Sequence, residues 1–251
     1  MDFDRDLNSM PVLSLDTLSS TELHEYQKSI NLILIPVGSI EQHGPNLTLN
    51  ADTILARSAS YLIASKLSPQ VLVAPEICWG ISDHHMAFPG TIRLRPETFI
   101  SLIYDLVWSL RRHGFSRFLL INGHSGNRAC LEISVNKIFQ EMDVNFIGSC
   151  QYFDLGPDKG AGHAAEIEVS FACALAPEIV KFANLADGKM TQKVRINDLT
   201  APYPTEYFSS NGPSGPIGSP SAELGWKRLK PSLMNLLKLA RQICNGELDF
   251  R

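Results

Sequence analysis

Leu32-Ile-Leu-Ile-Pro-Val-Gly38-Ser-Ile-Glu41-Gln-His43-Gly-Pro-Asn-Leu-Thr-Leu-Asn-Ala-Asp52-Thr53 is the stretch that decides how the chain reads. Leu32 to Val37 is a short, continuous apolar run closed by Pro36 and Gly38, the mark of a buried strand. Glu41 and His43 follow it, and Asp52 stands where the next helix begins. In an open α/β sheet, ligands bind beyond the carboxyl ends of the strands, so all three belong to that rim. Carboxylate oxygens with an imidazole nitrogen make a ligand set suited to Zn²⁺ or Mn²⁺. The same residues also suit ordinary loop polars with Asp52 as a helix N-cap. This stretch alone leaves both readings open.

Working outward, Asp52 to Leu67 has apolar residues at helical spacing, and Val71 to Ala74 is a second short strand. The long loop from Pro75 to Leu94 carries Trp79, Asp83, His84, His85 and Phe88, and loops of this length in compact domains are often functional. Pro96 sits at a helix N1 position, and Glu97 to His113 reads as an amphipathic helix ending at Gly114. Phe118 to Ile121 is a third strand, running into Asn122-Gly-His124-Ser125-Gly126-Asn127. Arg128 to Met142 reads as a helix and Val144 to Gly148 as a fourth strand. Gly160-Ala-Gly-His163-Ala-Ala-Glu166-Ile-Glu168 starts another helix, reaching about Leu175. Glycine, proline and polar residues thicken from Asp187 to Ser221, read as a long surface loop, before an amphipathic helix from Leu224 to Cys244. Ahead of all this, Met1 to about Ser20 is polar without a clear period, and Thr21 to Ser29 suits a short helix. Strands alternating with helices imply a largely parallel sheet with right-handed crossovers, in one domain spanning residues 1–251.

Composition narrows the function. The chain has 251 residues, 44% of them hydrophobic, enough for a sizeable core. A formal net charge of -4 gives no electrostatic case for nucleic acid or an anionic membrane. The five cysteines are scattered and none has C-x-x-C spacing, which suits buried thiols in a reducing compartment. Met1 opens onto Asp2, Asp4, Arg5 and Asp6, unlike a signal peptide, and no apolar run is long enough to span a bilayer. A cytoplasmic location is expected.

His124 puts a second imidazole at a strand end, with Gly123 and Gly126 around it to let the backbone approach an ion. On the helix read from about Gly160, His163 and Glu166 share a face at i and i+3 while Glu168 turns away. Capping plus an exposed acid is the competing reading of that pair. His84 and His85 suit either substrate contact or a packed pair. No G-x-S-x-G elbow and no G-x-G-x-x-G after the first strand is present, which weighs against a serine hydrolase and a dinucleotide enzyme.

Taken in order, Pro36-Val-Gly-Ser-Ile-Glu-Gln-His-Gly-Pro45, Asp52-Thr53, Phe88-Pro-Gly-Thr91, Asn122-Gly-His-Ser-Gly-Asn127, His163-Ala-Ala-Glu-Ile-Glu168, Gly215-Pro-Ile-Gly-Ser-Pro220 and Glu223-Leu-Gly225 resemble the creatininase (creatinine amidohydrolase) family. The resemblance implies a three-layer α/β/α sandwich, a two-metal centre acting on C–N bonds of small cyclic or linear amides, and a homo-oligomer, commonly a hexamer. It places Glu41, Asp52 and His124 on the first metal and His43 and Asp52 on the second, with Asp52 bridging. The family's namesake has a glutamate where this chain has Gly126, so Glu166 is expected to replace it, and creatinine itself is disfavoured as substrate. His163 matches the family's candidate acid/base. Trp79, His85 and Ser125 are the expected substrate contacts. Asn46 and Ser219 depart from residues common in the family. The implied cofactors are two divalent ions per chain, Zn²⁺ or Mn²⁺, with Fe²⁺ also admitted. The same metal site on another bond, in a keto sugar acid or a peptide, is the alternative activity; a non-catalytic binding protein on the same fold is the third reading.

Overall fold

The computed structural model of the protein describes residues 12–157, 160–191 and 203–250. The opening residues read against a signal peptide, and part of the segment from Asp187 to Ser221, lie outside the described residues.

Five parallel strands form one sheet in the order β1-β3-β2-β4-β5: β1 (Leu13–Ser14), β2 (Leu32–Val37), β3 (Val71–Val73), β4 (Arg117–Asn122) and β5 (Phe146–Gln151). Ile33 lies beside Phe118 and Val37 beside Asn122, so the central strands β2 and β4 end level with each other. The connecting helices are α1 (Ser20–Tyr26), α2 (Ala51–Leu67), α3 (Pro96–Arg112), α4 (Arg128–Glu141), α5 (Glu166–Leu175) and α6 (Ala222–Cys244).

Strand periodicity explains the layers. Alternate side chains of a strand point to opposite faces. Leu32, Leu34, Val71, Val73, Leu119 and Ile121 pack on one face with α2, α5 and α6. Ile33, Ile35, Leu72, Phe118 and Leu120 pack on the other with Phe99, Ile103, Leu131 and Ile138 of α3 and α4. Every residue of β2 is buried, and each such aliphatic side chain contributes roughly 1.5–3 kcal/mol. The result is the expected three-layer α/β/α sandwich.

Four sequence expectations need correction. The segment before Ser20 contains β1, a two-residue edge strand whose brevity hid it. Strand β5 runs from Phe146 to Gln151 rather than from Val144 to Gly148. As the edge strand it is only partly covered, so its second half reads Gly148-Ser149-Cys150-Gln151 and lacks the apolar signal. Asp52 is not an N-cap: α2 begins at Ala51 with Asn50 at the cap position, leaving the Asp52 carboxylate in the first turn. Helix α5 begins at Glu166, not near Gly160. Gly160, Gly162 and Ala164 have φ of +74°, +74° and +50°, values that a right-handed helix does not admit.

Candidate metal centre

Three backbone segments meet at the carboxyl end of the sheet. Gly38 and Gly123, at the ends of β2 and β4, sit against the backbone of Thr53 and Asp52 so closely that a Cβ on either would run into it. The start of α2 is thereby drawn down between the two strand ends. Glu41 comes from the loop after β2, Asp52 from α2 and His124 from the loop after β4. All three are buried.

The contacts form two groups sharing one residue. His124 Nδ1 lies 3.0 Å from Glu41 Oε2 and 3.2 Å from Asp52 Oδ2. His43 Nε2 lies 3.4 Å from Asp52 Oδ1 and 3.8 Å from Glu168 Oε2. Asp52 thus turns one oxygen to each group. Glu41, Asp52 and His124 form one set of potential metal ligands, and His43, Asp52 and Glu168 another. A third set joins Glu41 and His43 to His163, whose Nδ1 is 3.7 Å from Glu41 Oε1.

Surrounding groups fix how these residues face. His124 Nε2 lies 3.0 Å from the Ile81 carbonyl, and His43 Nδ1 lies 3.1 Å from the Glu41 carbonyl. A carbonyl only accepts, so each of these nitrogens carries its proton there. In the neutral ring, the nitrogen turned to the carboxylates is then a bare lone pair, the arrangement found where a backbone carbonyl orients a metal-binding histidine. His43 Nε2 and Asp52 Oδ2 are buried without a hydrogen-bond partner. Among the described residues, the ion-pair partners of Glu41, Asp52 and Glu168 are imidazoles only. Buried charges are normally paired or coordinate metals, and this donor set fits divalent cations. Ser82 donates to Glu41 Oε2 at 2.8 Å and sits 2.5 Å from the Ser39 hydroxyl, holding the carboxylate in place.

Protons take up the missing charge when no cation is bound. Burial disfavours the His43 imidazolium, but Asp52, then Glu168 and Glu41, outweigh it and raise its pKa to about 10. Burial likewise opposes the charged form of His124, and Glu41 and Asp52 drive it well above the ordinary value. Burial would raise Glu41, yet His124 and His85 hold it well below the usual carboxylate range. Glu168 goes the other way, to about 7, because burial and the neighbouring Asp52 exceed the pull of His43. Burial and surrounding imidazoles push His163 well below the ordinary histidine range, and His84 to about 4.

The structure separates the expected residues. Glu41, His43, Asp52, His124 and His163 come together. Glu166 does not join them: its Oε1 accepts from Ser219 N at 2.8 Å, and its carboxylate packs against Gly218. Glu168 stands in its place, its Oε2 also accepting from Ala164 N. The shift follows from the helix start. His163 precedes α5 in a left-handed turn, so counting i to i+3 across the boundary picked out the glutamate that does not face the cluster. Two glycines before His163 were the sequence signal of that turn. At Gly126 a Cβ would run into His124 Nε2 and the Ile81 carbonyl, so no carboxylate fits there.

A cavity of about 540 Å³ opens over the cluster, walled by Phe153, Met190, Tyr203 and Phe208 beside Ser125 and His85. Trp79 is 46% exposed and does not line it, contrary to expectation. His84, read as either a substrate contact or half of a packed pair, lines the cavity, whereas Thr205 and Gln42 belong to the site or its support and carried no spacing signal. Asn46 is a latch rather than a substrate contact: its Nδ2 donates to the Ala164 and Ala186 carbonyls at 2.7 and 3.0 Å, and its Oδ1 accepts from Ala186 N at 2.8 Å.

The chain is similar to known proteins. The creatininase (creatinine amidohydrolase) family model matches residues 16–237. A mycofactocin precursor peptide peptidase of Mycobacterium ulcerans is 30% identical over 220 residues, covering 84% of this chain and 83% of that one. A 3-dehydro-scyllo-inosose hydrolase of Thermotoga maritima is 32% identical over 178 residues, 65% of this chain and 56% of the relative, so the match spans little more than half of that protein. A solved manganese creatininase superposes with a TM-score of 0.75 at 22% identity, over 92% of this chain and 98% of the other, a likeness of fold.

Proposed function

The chain belongs to the creatininase (creatinine amidohydrolase) family, and from that premise we propose that it is a metal-dependent hydrolase cleaving a C–N bond of a small amide, cyclic amide or formamide. The observation that carries the reading is the pair of imidazole nitrogens, His43 Nε2 and His124 Nδ1, turned to opposite oxygens of one buried aspartate while the other nitrogen of each ring faces a backbone carbonyl. Glu41 and His124 would hold one divalent ion, His43 and Glu168 a second, and Asp52 both. When bound, two such ions supply an activated water and Lewis-acid polarisation of the carbonyl. The residues do the rest. Ser82 and the Ile81 carbonyl keep Glu41 and His124 in register. His163 lies beside Glu41 on the cavity side, placed to meet the polar atoms of the amide. Phe153, Tyr203 and Phe208 exclude water and seat an apolar part of the substrate.

The peptide peptidase and the inosose hydrolase among the relatives keep other bonds in view. The test is metal analysis of protein purified without chelator, then a hydrolysis screen of the reconstituted protein. Cyclic amides, formamides, short peptides and inososes are the substrates to compare. About two metal equivalents with turnover of a non-peptide amide is the expected result. Well under one equivalent, with no substrate turned over, would sink the hydrolase reading; turnover only of peptides or inososes would move the bond.

Assembly and location are part of the same proposal. Trp79, Met86 and Ile92 expose 46%, 50% and 49% of their surface on one loop region, and a second copy of the chain in a homo-oligomer, expected to be a hexamer, would cover them. A monomer by light scattering at micromolar concentration would remove this part. Cysteines 78, 130, 150, 173 and 244 are all unpaired, which suits the proposed cytoplasmic setting. Among the described residues no helix is long and apolar enough to cross a membrane.

A further inference from the structure

Gln42 stands between two proposed ligands in the sequence, and its buried side chain hydrogen-bonds to two other imidazoles. Its Oε1 accepts from Gly44 N at 2.9 Å. Its Nε2 lies 2.9 Å from His85 Nδ1 and 2.8 Å from His163 Nε2. A backbone N–H only donates, so the atom facing Gly44 is the amide oxygen, and the atom facing the histidines is the NH₂ group. An NH₂ group has two hydrogens and no acceptor. Both are directed at imidazole nitrogens, and each of those nitrogens must therefore be a bare acceptor. The opposite nitrogens carry the protons, and both face Glu41 Oε1: His85 Nε2 at 3.2 Å and His163 Nδ1 at 3.7 Å. The two rings stack at 4.3 Å. Gly212 closes over the amide so tightly that a Cβ there would strike the Gln42 oxygen.

We propose that Gln42 is a positioning residue that fixes His163 as the neutral tautomer with its proton on Nδ1, and His85 as the one with its proton on Nε2. The inference rests on reading this cavity as the reaction site. It divides four of the site's five imidazoles into two kinds. Backbone carbonyls take up one nitrogen each of His43 and His124 and leave the other nitrogen turned to the carboxylates. One glutamine turns His85 and His163 so that N–H groups face the centre. His163, capped at Nε2 by the Gln42 amide, keeps its Nδ1–H on the side of the proposed centre.

Neutron diffraction from crystals of the protein as purified tests this without turnover or a known substrate. Deuterium on His163 Nδ1 and His85 Nε2, with none on His163 Nε2 and His85 Nδ1, is expected. Deuterium at His163 Nε2, or none at His163 Nδ1, would overturn the proposal. Gln42→Glu replaces the donor with an acceptor and should bring deuterium to His163 Nε2; an unchanged pattern would also overturn it. The wild-type measurement stands alone, so a variant that fails to fold leaves the question decidable. Once the screen supplies a substrate, Gln42→Met should lower kcat about 10- to 100-fold, the usual effect of losing an outer partner, with KM and metal content unchanged. A fall in Tm with kcat intact would reduce Gln42 to a packing residue. Failure of the hydrolase reading shows instead as missing metal and missing turnover, which the diffraction result does not touch.

Discussion

The two ends of the same central strands are built to opposite ends. At the amino end, Arg117 opens β4 and grips Asp249 through Nε at 2.7 Å and Nη2 at 2.5 Å. Asn145 Nδ2 adds a third contact to that carboxylate at 3.2 Å, and Phe250 N returns to the Asn145 carbonyl at 2.8 Å. Each charge there meets its opposite. At the carboxyl end, three buried carboxylates have imidazoles alone as ion-pair partners among the described residues, and His43 Nε2 and Asp52 Oδ2 find no hydrogen bond. One end closes on itself and adds stability; the other gathers a set of side chains that could hold a cation. The difference locates function within a single sheet, since the strand interiors are equally apolar along their length.

The sharpest way to break this contrast is at Asp52, the residue common to both ligand groups. Asp52→Ala should drop metal content from about two equivalents to near zero and abolish turnover. Retention of both metals would show that the carboxyl end does not depend on a shared carboxylate. Next in size, Glu168→Gln should lose one metal of the two, while Glu166→Gln keeps both. Glu166 serves the Gly218–Ser219 loop, so its change should cost stability of about 1 kcal/mol, the size of one hydrogen bond. Metal content and Tm of the two variants, measured side by side, decide between the glutamates.

That pair of glutamates also marks where sequence stops being legible. Strand β2 and helix α3 could be read because an all-apolar run and a 3.6-residue apolar period are local signals. Glu41, His43, Asp52 and His124 could be read because each follows a strand end or opens a helix. Glu168 could not, because the identity of the facing residue turned on whether His163 lies inside the helix. That depends on the positive φ of Ala164, which a non-glycine residue rarely shows. Gln42, Ser82 and Thr205 support the site through hydrogen bonds to residues far away in sequence, and nothing in their spacing announces it. Trp79 drew attention as an aromatic in a functional-looking loop, yet it is exposed and stands outside the cavity.

Gly126→Ala should have an intermediate effect. The added methyl meets His124 Nε2 and the Ile81 carbonyl, the very pair that orients the His124 lone pair. Overpacking of this kind costs roughly 1–3 kcal/mol, and metal affinity should fall with it. Thermal unfolding with and without chelator separates the two: a Tm loss that disappears in chelator would place the damage in metal binding alone and contradict the steric account.

The smallest effect belongs to the amino end and shows what an ordinary structural pair does. Arg117, through its hydrogen bonds, holds the Asp249 carboxyl below its ordinary value of 3.8. A carboxyl lowered in the folded state binds its proton more weakly there than in the unfolded chain. Its contribution is therefore present above that ordinary value and is lost as pH falls through the folded one. With both side chains about one-fifth exposed, the pair is worth about 1 kcal/mol, screening included. Asp249→Asn should lower stability by that amount at neutral pH, with the gap to wild type constant from about pH 5 to 8 and shrinking below about pH 4. Metal content and turnover should stay at wild-type levels throughout. If this variant instead lost metal, the two ends of the sheet would be coupled through β4, and the division of labour between them would fail at its simplest test.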